Sequence, residues 1–143
     1  MAEAEKCVFC RISLKQEPNE ILYEDEKVMA FRDIKPATNH HYLIIPKTHI
    51  RNPKSLAYEP LDMLRHMREV ADGVLLQQGV STDDVNKRFG YHWPPFNMID
   101  HLHLHAISNT ASMGFIAKGI FMSGSPWFVS HEWLVKHLEN MRE

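Results

Sequence analysis

The stretch His101-Leu102-His103-Leu104-His105-Ala106-Ile107 repeats with a period of two, the spacing of an extended strand rather than a helix. On a strand, alternate side chains share a face about 6–7 Å apart, so the three imidazoles project one way and Leu102, Leu104 and Ala106 the other. Such a strand belongs in a sheet with one face under an apolar layer and the other lined with histidine. A single imidazole serves as nucleophile, acid, base or metal ligand according to which ring nitrogen holds the proton. A histidine-rich tail that merely collects metal lacks this alternation. The run therefore reads as a reaction surface inside a folded domain.

The rest of the chain supplies a frame for that strand. Ile21-Leu22-Tyr23 and Val28-Met29-Ala30-Phe31 flank the charged Glu24-Asp25-Glu26-Lys27 and predict a hairpin, and His41 to Ile45 predicts a third strand closed by Pro46. From Glu59 to Gln78, Leu61, Leu64, Met67, Val70, Ala71 and Val74 recur at threes and fours, predicting a long amphipathic helix that ends at Gly79. Val85 to Tyr91 and Met98 to Ile107 add two strands, separated by the turn-like Trp93-Pro94-Pro95. Ser130 is placed to cap a last helix with Trp133, Leu134 and Leu138 facing inward. The expectation is an α+β domain: a mostly antiparallel five-stranded sheet, one long helix and a C-terminal helix.

With 143 residues, 44% of them hydrophobic and 24% charged, the chain has the composition of one globular domain. Its formal charge of −2, with no Lys/Arg block, argues against nucleic acid as a main partner. No apolar run approaches the roughly 20 residues of a membrane span, and Met1-Ala2-Glu3-Ala4-Glu5-Lys6 is too acidic for a leader. The expected compartment is the cytoplasm, with the nucleus as a second. Cys7 and Cys10 form one C-x-x-C, which suits a metal knuckle, a redox pair or two buried thiols.

The histidine run resembles the signature of the histidine triad superfamily. Cys7-Val8-Phe9-Cys10-Arg11-Ile12, Phe31-Arg32-Asp33-Ile34-Lys35-Pro36-Ala37 and His41-Tyr42-Leu43-Ile44-Ile45-Pro46-Lys47-Thr48-His49-Ile50 resemble its Hint branch in the same order. The likeness spans about residues 6–108, leaving a C-terminal helical extension over about 109–143, and it is nearest to the branch's third subtype, a relative of aprataxin's catalytic domain.

The resemblance implies a homodimeric nucleotidyl hydrolase acting on purine nucleotides. His103 then corresponds to the nucleophile of a covalent nucleotidyl-histidine intermediate, and His105 to a donor to the α-phosphate. Phe9, Ile12, Phe31 and Ile34 match purine-sandwiching positions, Asp33 a carboxylate that accepts both ribose hydroxyls, and His41 a supporting group near the phosphates. It also implies a structural zinc on Cys7, Cys10, His49 and His101. Where the family commonly carries a serine three residues ahead of the first triad histidine, this chain has Met98, leaving the preceding Asn97 as the candidate phosphate donor. His92-Trp93-Pro94-Pro95 echoes a C-terminal family motif at a different place, and His92 receives no role. His40, His66, His131 and His137 read as structural or surface residues.

The leading expectation is cleavage of AMP from an amine or acyl group. Removal of AMP from adenylated DNA ends, and a nucleotide sensor without turnover, are the alternatives.

Overall fold

A computed structural model describes residues 7–13, 20–50, 61–81, 86–94, 96, 99 and 101–141. The elements are α1 (Val8–Ser13), β1 (Ile21–Glu24), β2 (Val28–Arg32), β3 (His41–Pro46), α2 (Leu61–Gln77), β4 (Arg88–His92), β5 (Leu104–Ile107), α3 (Phe115–Ile120), β6 (Phe128–Ser130) and α4 (His131–Met141). One antiparallel sheet runs in the order β1-β2-β3-β5-β4-β6. It has six strands where five were expected. The extra one, Phe128–Ser130, is a three-residue edge strand that runs straight into α4, too short to show an alternation of its own.

Local chemistry explains the joints. Asp25 Oδ1 accepts the N–H groups of Lys27 and Val28 at 2.7 and 2.9 Å, an Asx turn that closes the predicted hairpin. Helix α2 ends in a Schellman motif: Val80 N–H donates to Leu75 O at 2.9 Å, and Gly79 N–H to Leu76 O at 3.1 Å. Gly79 sits at φ 93°, where a Cβ is strained. Ser130 caps α4, its Oγ accepting Trp133 N–H at 3.1 Å. Leu134 and Leu138 point inward as expected, but Trp133 does not: it is 46% exposed and stacks on His137.

Period-two alternation gives the sheet two different faces. On the first, Val28, Ala30, Tyr42, Ile44, Phe89, Leu104 and Ala106 pack with Leu64, Met67, Val74 and Leu75 of α2. Burying each such side chain contributes roughly 1.5–3 kcal/mol, so this layer holds the fold together. On the second face, α1 covers one end, with Phe9 and Ile12 on Met29, Phe31, Leu43 and Ile45. Met113, Phe121 and Phe128 cover Ile107 at the other end. Histidines occupy the ground between.

Candidate active site and metal cluster

The β5 strand is shorter than the predicted Met98–Ile107. Its pairing begins at Leu104, and Met98 lies outside the described residues. His101 therefore lies ahead of the paired strand, and Phe9 of α1, which also meets His103, meets its ring edge-on at 5.8 Å. His101 is fully buried beside the N-terminal knuckle, its Nδ1 3.3 Å from Cys7 Sγ and 3.4 Å from Cys10 Sγ. Cys10 Sγ lies 3.1 Å from His49 Nδ1, and Cys10 N–H points at Cys7 Sγ at 3.4 Å. The ligand atoms of Cys7, Cys10, His49 and His101 all lie within 4.8 Å of one another. His101 Nε2 donates to Pro46 O at 2.9 Å, so Nδ1 turns a lone pair toward the two sulfurs. Zn–S bonds of about 2.3 Å and Zn–N bonds of about 2.1 Å give a tetrahedron with S···N edges of about 3.6 Å, which this donor set fits after slight expansion.

His103 and His105 lie together, ring centroids 4.9 Å apart. His103 Nδ1 donates to His101 O at 2.7 Å, which leaves Nε2 with a free lone pair. Phe9 of α1 meets the same ring edge-on at 5.1 Å. Burial lowers the His103 pKa to about 4, neighbouring imidazoles adding to the effect and the His101 carbonyl opposing it. His105 is held well below the ordinary histidine value by burial first and by the flanking His103, His41 and His92 second. Both rings are neutral at pH 7.

Two further histidines join them. His41 Nε2 lies 2.9 Å from His105 Nδ1 and 3.4 Å from Asp33 Oδ2, and burial lowers its pKa to about 4. His92, given no role above, has Nδ1 3.3 Å from His105 Nε2 and donates through Nε2 to Ile120 O at 3.2 Å. Burial depresses its pKa too, against the pull of the Ile120 carbonyl and Asp33. The signal is present in the sequence: one residue on from Tyr91, which packs in the first core, His92 falls on the opposite face of β4. Phe121 packs against His41, His92 and His105 at 5.1, 5.2 and 5.1 Å. The next strand over needs Gly90, because a Cβ there would lie 2.5 Å from the Phe128 ring and 2.6 Å from Val129 O.

The positions expected to bind nucleotide divide. Phe9, Ile12 and Phe31 are buried together, Phe9 and Phe31 edge-on at 5.6 Å, but Ile34 is 85% exposed and stands outside that cluster. Asp33 Oδ1 accepts Lys35 N–H at 2.9 Å; burial raises its pKa, opposed by that hydrogen bond and by charge interactions with His92 and Lys35. Asn97 lies outside the described residues. His40 bonds Tyr42 OH, His66 bonds Asp25, and His131 Nδ1 accepts from the buried Tyr91 OH at 3.0 Å, as structural residues do.

Neutral imidazoles lining one sheet face, with a nucleophile-ready nitrogen beside an apolar wall, define a histidine triad protein. The chain belongs to that family: residues 6–120 match the family described as scavenger mRNA decapping enzyme C-term binding. It is 42% identical to adenosine 5'-monophosphoramidase HINT3 of Mus musculus over 92% of this chain and 81% of that one. With the HINT3 of Xenopus tropicalis it shares 39% identity over 93% of this chain and 87% of the other. Among solved structures it resembles a HIT family hydrolase from Clostridium thermocellum, 33% identical with a TM-score of 0.69, covering 78% of this chain and 97% of that one. A Zn-bound histidine triad family protein from Mycobacterium smegmatis is similar at 26% identity and a TM-score of 0.62, covering 96% and 94%.

Proposed function

We propose that the chain is an adenosine 5'-monophosphoramidase-type hydrolase that releases AMP from acyl-adenylates and AMP–amine conjugates through a nucleotidyl-histidine intermediate. The observation that carries this reading is the 2.7 Å bond from His103 Nδ1 to His101 O, which presents Nε2 as a neutral nucleophile beside His105. The HINT3 relatives, named as monophosphoramidases, support it.

In the first half-reaction His103 Nε2 attacks the α-phosphorus, the P–Nε2 bond forms and the bond to the leaving group breaks. His105 Nε2–H donates to a phosphate oxygen as charge develops there. In the second half, water attacks phosphorus, the P–Nε2 bond breaks and AMP leaves; the proton that water gives up goes to His92 Nδ1, which faces His105 while Nε2–H is held by Ile120 O. A carboxylate departs from an acyl-adenylate without needing a proton. An amine takes one, which His92 supplies only after gaining it at Nδ1. The neutral cluster therefore favours acyl-adenylates. Asp33 holds the ribose hydroxyls, and Phe9, Ile12 and Phe31 face the base.

Cys7, Cys10, His49 and His101 hold a zinc ion whose contribution is structural, since four protein ligands leave no position for a reacting water. The zinc-bound relative supports that assignment. The chain works as a homodimer in the cytoplasm, and also in the nucleus, a reading that rests on the family resemblance; light scattering and fractionation test it. Among the described residues no helix is long and apolar enough to cross a membrane.

Steady-state rates on an aminoacyl-adenylate, an AMP–lysine conjugate and an adenylated nicked DNA test the function. Turnover falling in that order is expected. DNA as the best substrate, or AMP bound with no turnover of any conjugate, would replace this reading by one of its alternatives.

A further inference from the structure

A directional chain of hydrogen bonds crosses the site from one backbone group to another. Ala37 N–H donates to His41 Nδ1 at 2.9 Å, and a ring nitrogen that accepts carries no proton, so His41 holds its proton on Nε2. That N–H meets His105 Nδ1 at 2.9 Å, which places the His105 proton on Nε2. His105 Nε2 in turn meets His92 Nδ1 at 3.3 Å, and the His92 proton sits on Nε2 against Ile120 O at 3.2 Å. An amide only donates and a carbonyl only accepts, so the two ends fix the sense of everything between. Reversing any ring sets two lone pairs or two protons face to face.

The donor end is braced. Ala37 lies in the loop between β2 and β3, and the buried Thr38 hydroxyl beside it donates to Ser108 O at 2.9 Å and accepts His40 N–H at 3.0 Å. Ser108 N–H returns a bond to His40 O at 2.9 Å. The loop is thereby tied to the end of β5, the strand that carries His105.

We infer that the Thr38-braced Ala37 amide is a positioning group that locks His41, His105 and His92 into one tautomeric series, keeping the His105 proton on Nε2, where it is held by His92 Nδ1 until a substrate oxygen takes the hydrogen bond. The consequence reaches beyond catalysis. His92, His103 and His105 have ring nitrogens spaced as a metal site would be, all within 4.8 Å. A nitrogen bearing a proton cannot ligate, so the lock closes that cluster to metal while the cysteine cluster stays open to it.

The direct test is long-range proton–nitrogen NMR of the histidine rings in the full-length protein labelled with nitrogen-15 at neutral pH. Nε2–H forms are expected for His41, His105 and His92; a proton on Nδ1 of His41 or His105 overturns the inference. Thr38→Val should mix the tautomers of His41 and His105 and lower kcat about tenfold with KM little changed, while Thr38→Ser behaves as the parent. If Thr38→Val fails to fold, replacing the Ala37 amide by an ester through semisynthesis removes the same donor. Unmixed tautomers in the ester protein overturn the inference. The kinetic arm rests on the hydrolase reading, whereas the NMR arm does not: the expected tautomers in a protein that turns over no AMP conjugate would sink the function and leave the lock standing.

Discussion

His101 does two things for His103 at once. Its backbone carbonyl accepts the His103 Nδ1 proton at 2.7 Å, while its side chain turns away into the Cys7 and Cys10 knuckle. The His103 tautomer is thus set by a residue whose own ring is held among Cys7, Cys10 and His49.

That link makes metal content testable. The purified protein should carry about one zinc per chain, and chelation or Cys10→Ser should lower the melting temperature by more than about 5 °C, because metal binding is coupled to folding. Activity should fall less, and later in a chelator titration, than thermal stability. A metal-free protein of undiminished stability under reducing conditions contradicts the assignment.

The ribose contact has its own measurement. Asp33→Ala should weaken AMP binding by roughly 1.5–3 kcal/mol, the range for a hydrogen bond to a charged acceptor, and barely affect a 2′,3′-dideoxy analogue. Calorimetric affinities for the two ligands decide it. Equal losses for both would remove Asp33 from the ribose and leave it as a partner of His41.

Buried neutral histidines predict acid sensitivity. Burial lowers His41 and His131 from the usual 6.5 to about 4, so between those values the unfolded chain binds protons that the folded chain does not. Stability is therefore highest above about pH 6.5 and falls as pH drops toward 4, by about 1.4 kcal/mol per pH unit for each such proton. Asp25 adds a second loss lower down. Its burial would raise its pKa, yet the Val28 and Lys27 amides, His66 and Tyr23 hold it below the usual carboxylate range; its contribution is present above about pH 4 and lost as pH falls further. Urea midpoints at pH 7.5, 5.5 and 4.5 check the histidine loss and a further one at about pH 3 the Asp25 loss, and a flat profile from 7.5 to 5 contradicts the histidine account.

Periodicity carried the parts of this molecule that are long enough to have a period. Helix α2, the hairpin turned by Asp25 and the strand closed by Pro46 follow directly from it. What escaped were short or irregular pieces: β6 with three residues, α3 with six, and the start of β5, which pairs only from Leu104, while the placing of His101 with the cysteines is the one the resemblance implies. Ile34 follows the family motif and lies in an exposed bend, outside the buried group of Phe9, Ile12 and Phe31. His92 was missed because the resemblance placed its motif elsewhere, although the face it occupies follows from strand alternation alone.

In the proposed reaction His103 Nε2 becomes covalently bonded to the α-phosphorus. Acid-sensitive phosphoramidate adducts survive neutral denaturation, so rapid quenching of the parent enzyme with an aminoacyl-adenylate, followed by peptide mass spectrometry, reads the bond directly. AMP is expected on the peptide containing His103, and His103→Ala and His103→Asn should show neither adduct nor turnover while folding and binding AMP as the parent does. An adduct on any other residue, or substrate-level turnover in either variant, would contradict the account.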